Sequence, residues 1–131
     1  MSIQINGTEV IDSSGNLKNI AYNSGTPPYY FCRGFVNFDG TGTPAIRDEQ
    51  YVASITDLGT GRFTINFFDP MPDANYAVAG SCRRGDGAWD AIFSLNSTAG
   101  SYSTTALSVS CTDGTAGNLL DPTYFCVAWY R

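Results

Sequence analysis

Histidine is absent from this 131-residue chain. That removes Ser-His-Asp and Cys-His catalytic arrangements, histidine-ligated metals and the usual near-neutral proton shuttle. Basic residues are scarce: seven Lys and Arg stand against twelve Asp and Glu, a net charge of −5. Neutralising a phosphate backbone needs clustered cations. The one adjacent pair is Arg83-Arg84, so no nucleic-acid partner is expected. The same acidity disfavours docking on an anionic membrane. No apolar run reaches the roughly 18 residues of a membrane span, so no membrane insertion is expected. Charged side chains make up only 15 % of the chain, where about 25 % is usual. Ser, Thr, Asn and Gly fill the polar positions instead.

The four cysteines, Cys32, Cys82, Cys111 and Cys126, lack the CxxC spacing of zinc or redox motifs. The opening MSIQINGTEV has neither a basic nor an apolar leader region, which predicts folding in a reducing cytoplasm. Free, buried thiols then follow, with a disulfide pair as the alternative. No Asp-rich calcium loop is present, and no metal or other cofactor is expected.

What is present is apolar and aromatic. Hydrophobic residues reach 43 %, with eight Tyr, eight Phe, two Trp and 14 Gly. That composition suits a globular domain of strands joined by tight turns. Residues 1–26 are mostly polar and hold no aromatic before Tyr22. There, Ile3-Gln4-Ile5 and Thr8-Glu9-Val10-Ile11 flank Asn6-Gly7, a two-residue hairpin signal. Asn16 to Tyr22 reads as a third short strand carrying Leu17 and Ile20. This segment has too little apolar surface to fold alone, so Ile3, Ile5, Val10, Ile11, Leu17 and Ile20 are candidates for attachment or oligomer contact. Ser24-Gly25-Thr26-Pro27-Pro28 is a stiff, non-helical link.

Residues 27–131 read as a second domain. Period-2 alternation predicts strands over 31–38, 51–56, 62–68, 75–82, 88–95, 104–111 and 123–130. Ala45 to Gln50 makes one helical turn at most. The last strand is apolar on both faces and reads as central and doubly covered. The fold class is therefore all-β: an antiparallel β-sandwich of about seven strands, preceded by a short N-terminal β-hairpin segment.

Acidic residues mostly sit beside Gly or Pro, as at Asp39, Asp57, Asp69, Asp113 and Asp121, which is turn chemistry. Asp48, Glu49, Asp86 and Asp90 are less explained by turns. No carboxylate pair stands out for glycosidase work, and the chain is read as a non-enzyme with no catalytic residue. Arg84-Gly85-Asp86 spells an adhesion tripeptide, but Gly and Asp are wanted in any such turn. The most distinctive segment holds Arg83, Arg84, Asp86, Trp89 and Asp90. A Trp with charged groups at a loop tip suits glycan binding, the ring stacking on a sugar face. A Trp packed on the core with an Arg-Asp pair at the rim fits the same residues.

The stretch Ile5 to Ile20, INGTEVIDSSGNLKNI, resembles a short element of tail-fibre and related structural proteins of tailed bacteriophages, of marine or cyanobacterial type. Gly34 to Arg47, GFVNFDGTGTPAIR, is similar to a second pattern of those proteins, as are Val52 to Phe67 and Met71 to Val78. Phe35 stands where that pattern has Trp, and Phe63 where it has Tyr. The resemblance implies a virion protein of the tail, assembled in the host cytoplasm. It implies a short tail fibre or receptor-binding tip, commonly trimeric, that attaches to a host surface polysaccharide. Its partners would be further copies of itself and other tail or baseplate proteins. A purely structural baseplate, fibre-adaptor or capsid-decorating protein is the alternative. Three chains would carry 3 × −5 = −15, so assembly would rest on apolar contact and strand pairing.

Overall fold

The computed structural model describes residues 3–5, 8–11, 13, 32–85, 91–95 and 102–131. The chain separates into two units, Met1–Phe31 and Cys32–Arg131. In the first unit, β1 (Ile3–Ile5) pairs antiparallel with β2 (Thr8–Ile11). Ile5 faces Thr8 across the pair, so Asn6-Gly7 connects the two strands. The register slips between Ile3 and Gln4, which oppose Ile11 and Glu9. The Ile3 side chain is exposed. Ile5, Val10 and Ile11 are placed on the backbone only. The third strand expected over Asn16 to Tyr22, with Leu17 and Ile20, lies outside the described residues, as does the Pro27-Pro28 link.

The second unit is built from eight strands: β3 (Cys32–Asp39), β4 (Ala45–Gln50), β5 (Val52–Asp57), β6 (Arg62–Phe67), β7 (Ala77–Arg83), β8 (Ala91–Leu95), β9 (Ala106–Asp113) and β10 (Tyr124–Tyr130). They form two antiparallel four-stranded sheets, ordered β4-β3-β10-β7 and β5-β6-β9-β8. No helix occurs among the described residues. The arrangement is β-sandwich-like, and the period of two in the sequence explains it. Along β3, Val36 and Phe38 turn inward; along β10, Phe125, Val127 and Trp129 do; along β6, Phe63, Ile65 and Phe67; along β9, Leu107, Val109 and Cys111. Each strand of 6–8 residues thus supplies two or three inward side chains to one shared core.

Four aromatic rings lock together in this core. Phe38 stacks on Phe125 with centroids 5.1 Å apart, and Phe63 meets both edge-on at 5.1 and 5.7 Å. Phe93 closes the group against Phe125 at 5.9 Å. A second cluster stacks Phe67 on Trp129 and Tyr76 on Tyr102. The Tyr76 hydroxyl donates to the Ser103 carbonyl at 3.0 Å, which satisfies a polar tip that the core would otherwise strand.

The structure alters two expectations. Ala45–Gln50 is a strand, not a helical turn, and it makes the eighth member of the sandwich. All six of its residues are exposed, so no apolar alternation marks it. It is an edge strand, and the charges of Arg47, Asp48 and Glu49 suit an edge that must not recruit other chains. β10 is central, between β3 and β7, as expected. Its outer face, however, is only half-buried at Cys126, Ala128 and Tyr130, so the strand is not doubly covered.

Phe125 is fully buried at the centre of the ring group. Phe125→Ala is expected to lower unfolding free energy by about 3–5 kcal/mol. A urea midpoint unchanged within error would show that the rings do not carry the core.

Candidate functional site

Several of the turn aspartates do hold turns. Asp39 accepts the Thr41 N–H and hydroxyl at 3.0 and 2.6 Å. Asp57 accepts the Gly59 N–H at 2.8 Å, and Asp113 accepts the Ala116 N–H at 2.8 Å. Asp121 reaches across the fold to the Gly61 N–H at 2.6 Å. Gly61 has φ +67° and sits where an added Cβ would lie 2.6 Å from the Cys111 carbonyl oxygen. Only glycine meets both conditions.

Among the sequence candidates, the structure describes Arg83 and Arg84; Asp86, Trp89 and Asp90 lie outside the described residues. The two arginines differ in exposure. Arg83 is exposed at the end of β7, facing Tyr124 of β10 in register. Its Cζ lies 5.7 Å from the Tyr124 ring centroid. Arg84 is half-buried, and its charge is felt at Cys111.

Arg83 joins a row that the sequence does not reveal. Arg47 of β4 lies over the same Tyr124 ring, its Cζ 4.3 Å from the centroid. Its Nη2 donates to Asp39 of β3 at 2.7 Å. Asp39, Arg47, Tyr124 and Arg83 therefore cross all four strands of the first sheet at one end. Charge alternates along this row with an aromatic ring between the cations.

Beside that row the outer face dips. Register places Phe35, Ala128 and Ala79 abreast, and Asn37, Cys126 and Ser81 abreast. The small side chains of Ala79, Ser81 and Ala128 beside the larger Phe35 leave an open depression of about 530 Å³, flanked by Asp48. Its wall is mainly apolar, with Asn37, Asp48 and Ser81 as its polar members. The Asn37 side-chain oxygen is buried and has no hydrogen-bond partner among the described residues. A buried acceptor left unpaired costs about 1–3 kcal/mol, unless a bound group supplies the donor.

A second notch, about 360 Å³, lies where the chain crosses from β4 to β5. Tyr51 there adopts φ +63°, a strained value for a residue with a Cβ. Tyr51 is 49 % exposed and Phe68 is 71 % exposed beside it. Two aromatic rings left in solvent on one edge mark a surface suited to contact.

The outer face of the second sheet has another character. Thr64 meets Ser108 at 2.9 Å, Ser94 meets Ser110 at 2.8 Å, and Asn66 donates to Ser54 and Thr56. These polar side chains bond one another across the strands. No group of three or more potential metal ligands occurs among the described residues. No described helix is long and apolar enough to cross a membrane.

Three carboxyls are held below the ordinary aspartate value of 3.8: Asp39 mainly by the Thr41 hydroxyl, Asp73 by the Asn75 amide, and Asp113 by the Ala116 amide. A carboxyl with a depressed folded pKa stabilises the fold fully above its unfolded value. That contribution is lost as pH falls through the folded value. The melting temperature is therefore expected to hold steady from neutral pH to about pH 5 and to fall below about pH 4. Asp113→Asn keeps the acceptor without the titration and should flatten part of that acid limb in a circular-dichroism melt. An acid limb of unchanged steepness would remove Asp113 as a contributor. No known protein family, curated protein or solved structure matches this chain.

Proposed function

We propose that this chain is a virion structural protein of a tailed bacteriophage, a short tail fibre or receptor-binding tip whose larger unit attaches to a host surface glycan. The observation that carries the binding half of this reading is the outer face of the β4-β3-β10-β7 sheet. A sugar presents an apolar ring face and a rim of hydroxyls. A receptor for it needs an apolar plane with a few fixed acceptors and donors. Phe35 supplies the plane. Asn37, Asp48 and Ser81 supply the polar partners, and the unpaired Asn37 oxygen is an acceptor already desolvated. With a net charge of −5, a neutral glycan is favoured over an acidic one. The Trp89 loop, with Arg83, Arg84, Asp86 and Asp90, forms a second candidate contact beside it in sequence.

The assembly half of the reading rests on the phage-type sequence patterns and the hairpin unit. Ile3 is 51 % exposed on a two-stranded element, and such a pair is marginal in water by itself. A trimer would shield it together with Ile5, Val10, Ile11, Leu17 and Ile20. The protein would work in the virion tail, after assembly in the host cytoplasm, beside other tail or baseplate proteins. It would bind without cleaving.

A purely structural role, in a baseplate, a fibre adaptor or a capsid decoration, is the second reading. The exposed Tyr51 and Phe68 favour it, since such a patch suits a protein neighbour as well as a sugar.

Purified full chain is expected to bind host cell-wall polysaccharide and to be displaced by the free polysaccharide. Asn37→Ala should weaken binding by about tenfold, the upper end for one neutral hydrogen bond. Binding lost in Trp89→Ala but kept in Asn37→Ala would move the site to that loop. No binding by the wild type would leave the structural reading. Release of reducing sugar would make the protein an enzyme. In native mass measurement a trimer is expected; a monomer would remove the fibre reading's main support.

A further inference from the structure

We propose that Cys82 and Cys111 are a built cross-linking site, a staple that closes between the two sheets when a disulfide-type oxidant is present. Cys82 lies on β7 in the first sheet and Cys111 on β9 in the second. Their sulfur atoms are 2.9 Å apart. Both thiols are free, and the separation still exceeds the roughly 2.05 Å of a formed bond. The closure needed is small, and it adds a covalent side-chain link between the two layers.

The packing holds the two sulfurs face to face. Cys82 is in register with Phe125, and Cys111 with Phe93, so both thiols flank the central ring group. Gly80, two residues before Cys82, allows this approach: a Cβ there would stand 2.5 Å from the Phe93 ring. An alanine would push β7 away from β8. Access is unequal. Cys82 is half-buried, whereas Cys111 is 0 % exposed. Reactivity divides in the same way. The Cys111 thiol donates to Cys82 and so lowers the Cys82 pKa; the same hydrogen bond, with burial, raises that of Cys111. The reachable sulfur is thus the nucleophile, and the sheltered one resolves.

The oxidant is a low-molecular-weight disulfide. The Cys82 thiolate attacks one of its sulfurs, forming a mixed disulfide and expelling one small thiolate. That thiolate takes the Cys111 proton, and the Cys111 sulfur then attacks Cys82, expelling the second small thiolate. Two protein thiols become one disulfide, and one small disulfide becomes two small thiols. Cys32 is exposed, and Cys126 sits on the outer face of β10. Neither faces this pair. A chain folded in reducing conditions would therefore carry an open staple that closes in an oxidising medium, whatever surface the unit binds.

The test equilibrates the intact chain with oxidised glutathione. Denatured thiol titration should fall from four thiols to two. Digestion with trypsin and an aspartate-directed protease, which cuts between Cys111 and Cys126, should yield one peptide pair joined through Cys82 and Cys111. The melting temperature should rise by about 10 °C and return with dithiothreitol. Cys82→Ser should abolish both changes, and Cys32→Ser with Cys126→Ser should retain them. Four thiols remaining in wild type overturns the proposal, as does a link that uses Cys32 or Cys126. Because a damaged core could mask the melt, the peptide link in wild type is the deciding readout.

Discussion

Phe38, Phe63 and Phe125 come from three strands of two sheets, and their contact is what makes the larger unit one body. Phe38 and Phe125 face the core from neighbouring strands of one sheet, and Phe63 enters edge-on from the other. Edge-to-face and offset stacking fix orientation as well as separation, which aliphatic contacts do not. The remaining inward positions fall into step because a strand's period is exactly two residues per repeat, and a slip by one would turn every one of them outward. Turn residues then serve this packing. Asp121 bonds the Gly61 amide from sixty residues away, tying the β5–β6 turn to the segment before β10.

Two outer faces of similar construction diverge because of which small residues they carry. On the second sheet, Thr64 bonds Ser108 and Ser94 bonds Ser110, and Ser108 and Ser110 are buried. On the first sheet, Ala79, Ala128 and Cys126 cannot bond across the strands, and Asn37 is left with an unpaired oxygen. One face is therefore lined by paired hydroxyls, the other by small side chains beside Asn37. That difference, rather than any single reactive group, is why the binding reading settles on the first sheet.

Much of the fold is legible from alternation. The inward runs Phe63-Ile65-Phe67 and Phe125-Val127-Trp129 are visible as written, and Asn6-Gly7 marks the connection between β1 and β2. β4 is not legible. Its sequence, AIRDEQ, has an exposed residue at every position, so hydrophobic pattern carries no information about it; only hydrogen bonds to β3 make it a strand. The candidate site is harder still. Arg83 is conspicuous beside Arg84, but Asp39 looks complete as a turn residue, Arg47 lies in the unmarked strand, and Tyr124 passes for core. Their alignment depends on the order β4-β3-β10-β7, which brings together residues 39, 47, 83 and 124. Nothing local in the chain encodes that order.

The cysteines show the same limit from the other side. Their spacing carries none of the usual metal or redox motifs among sequence neighbours. What spacing cannot express is that β7 and β8 lie in different sheets, with β9 paired to β8. β7 and β8 are edge strands of different sheets, and the pairing of β8 with β9 sets Cys111 opposite Phe93. Twenty-nine residues of separation become 2.9 Å. Alternation places both side chains inward, and Gly80 lets the layers close at that end. The thiol pair is thus a consequence of the same inward registry that assembles the phenylalanines, so a change that shifted β7 by one residue would separate the sulfurs and expose the core together.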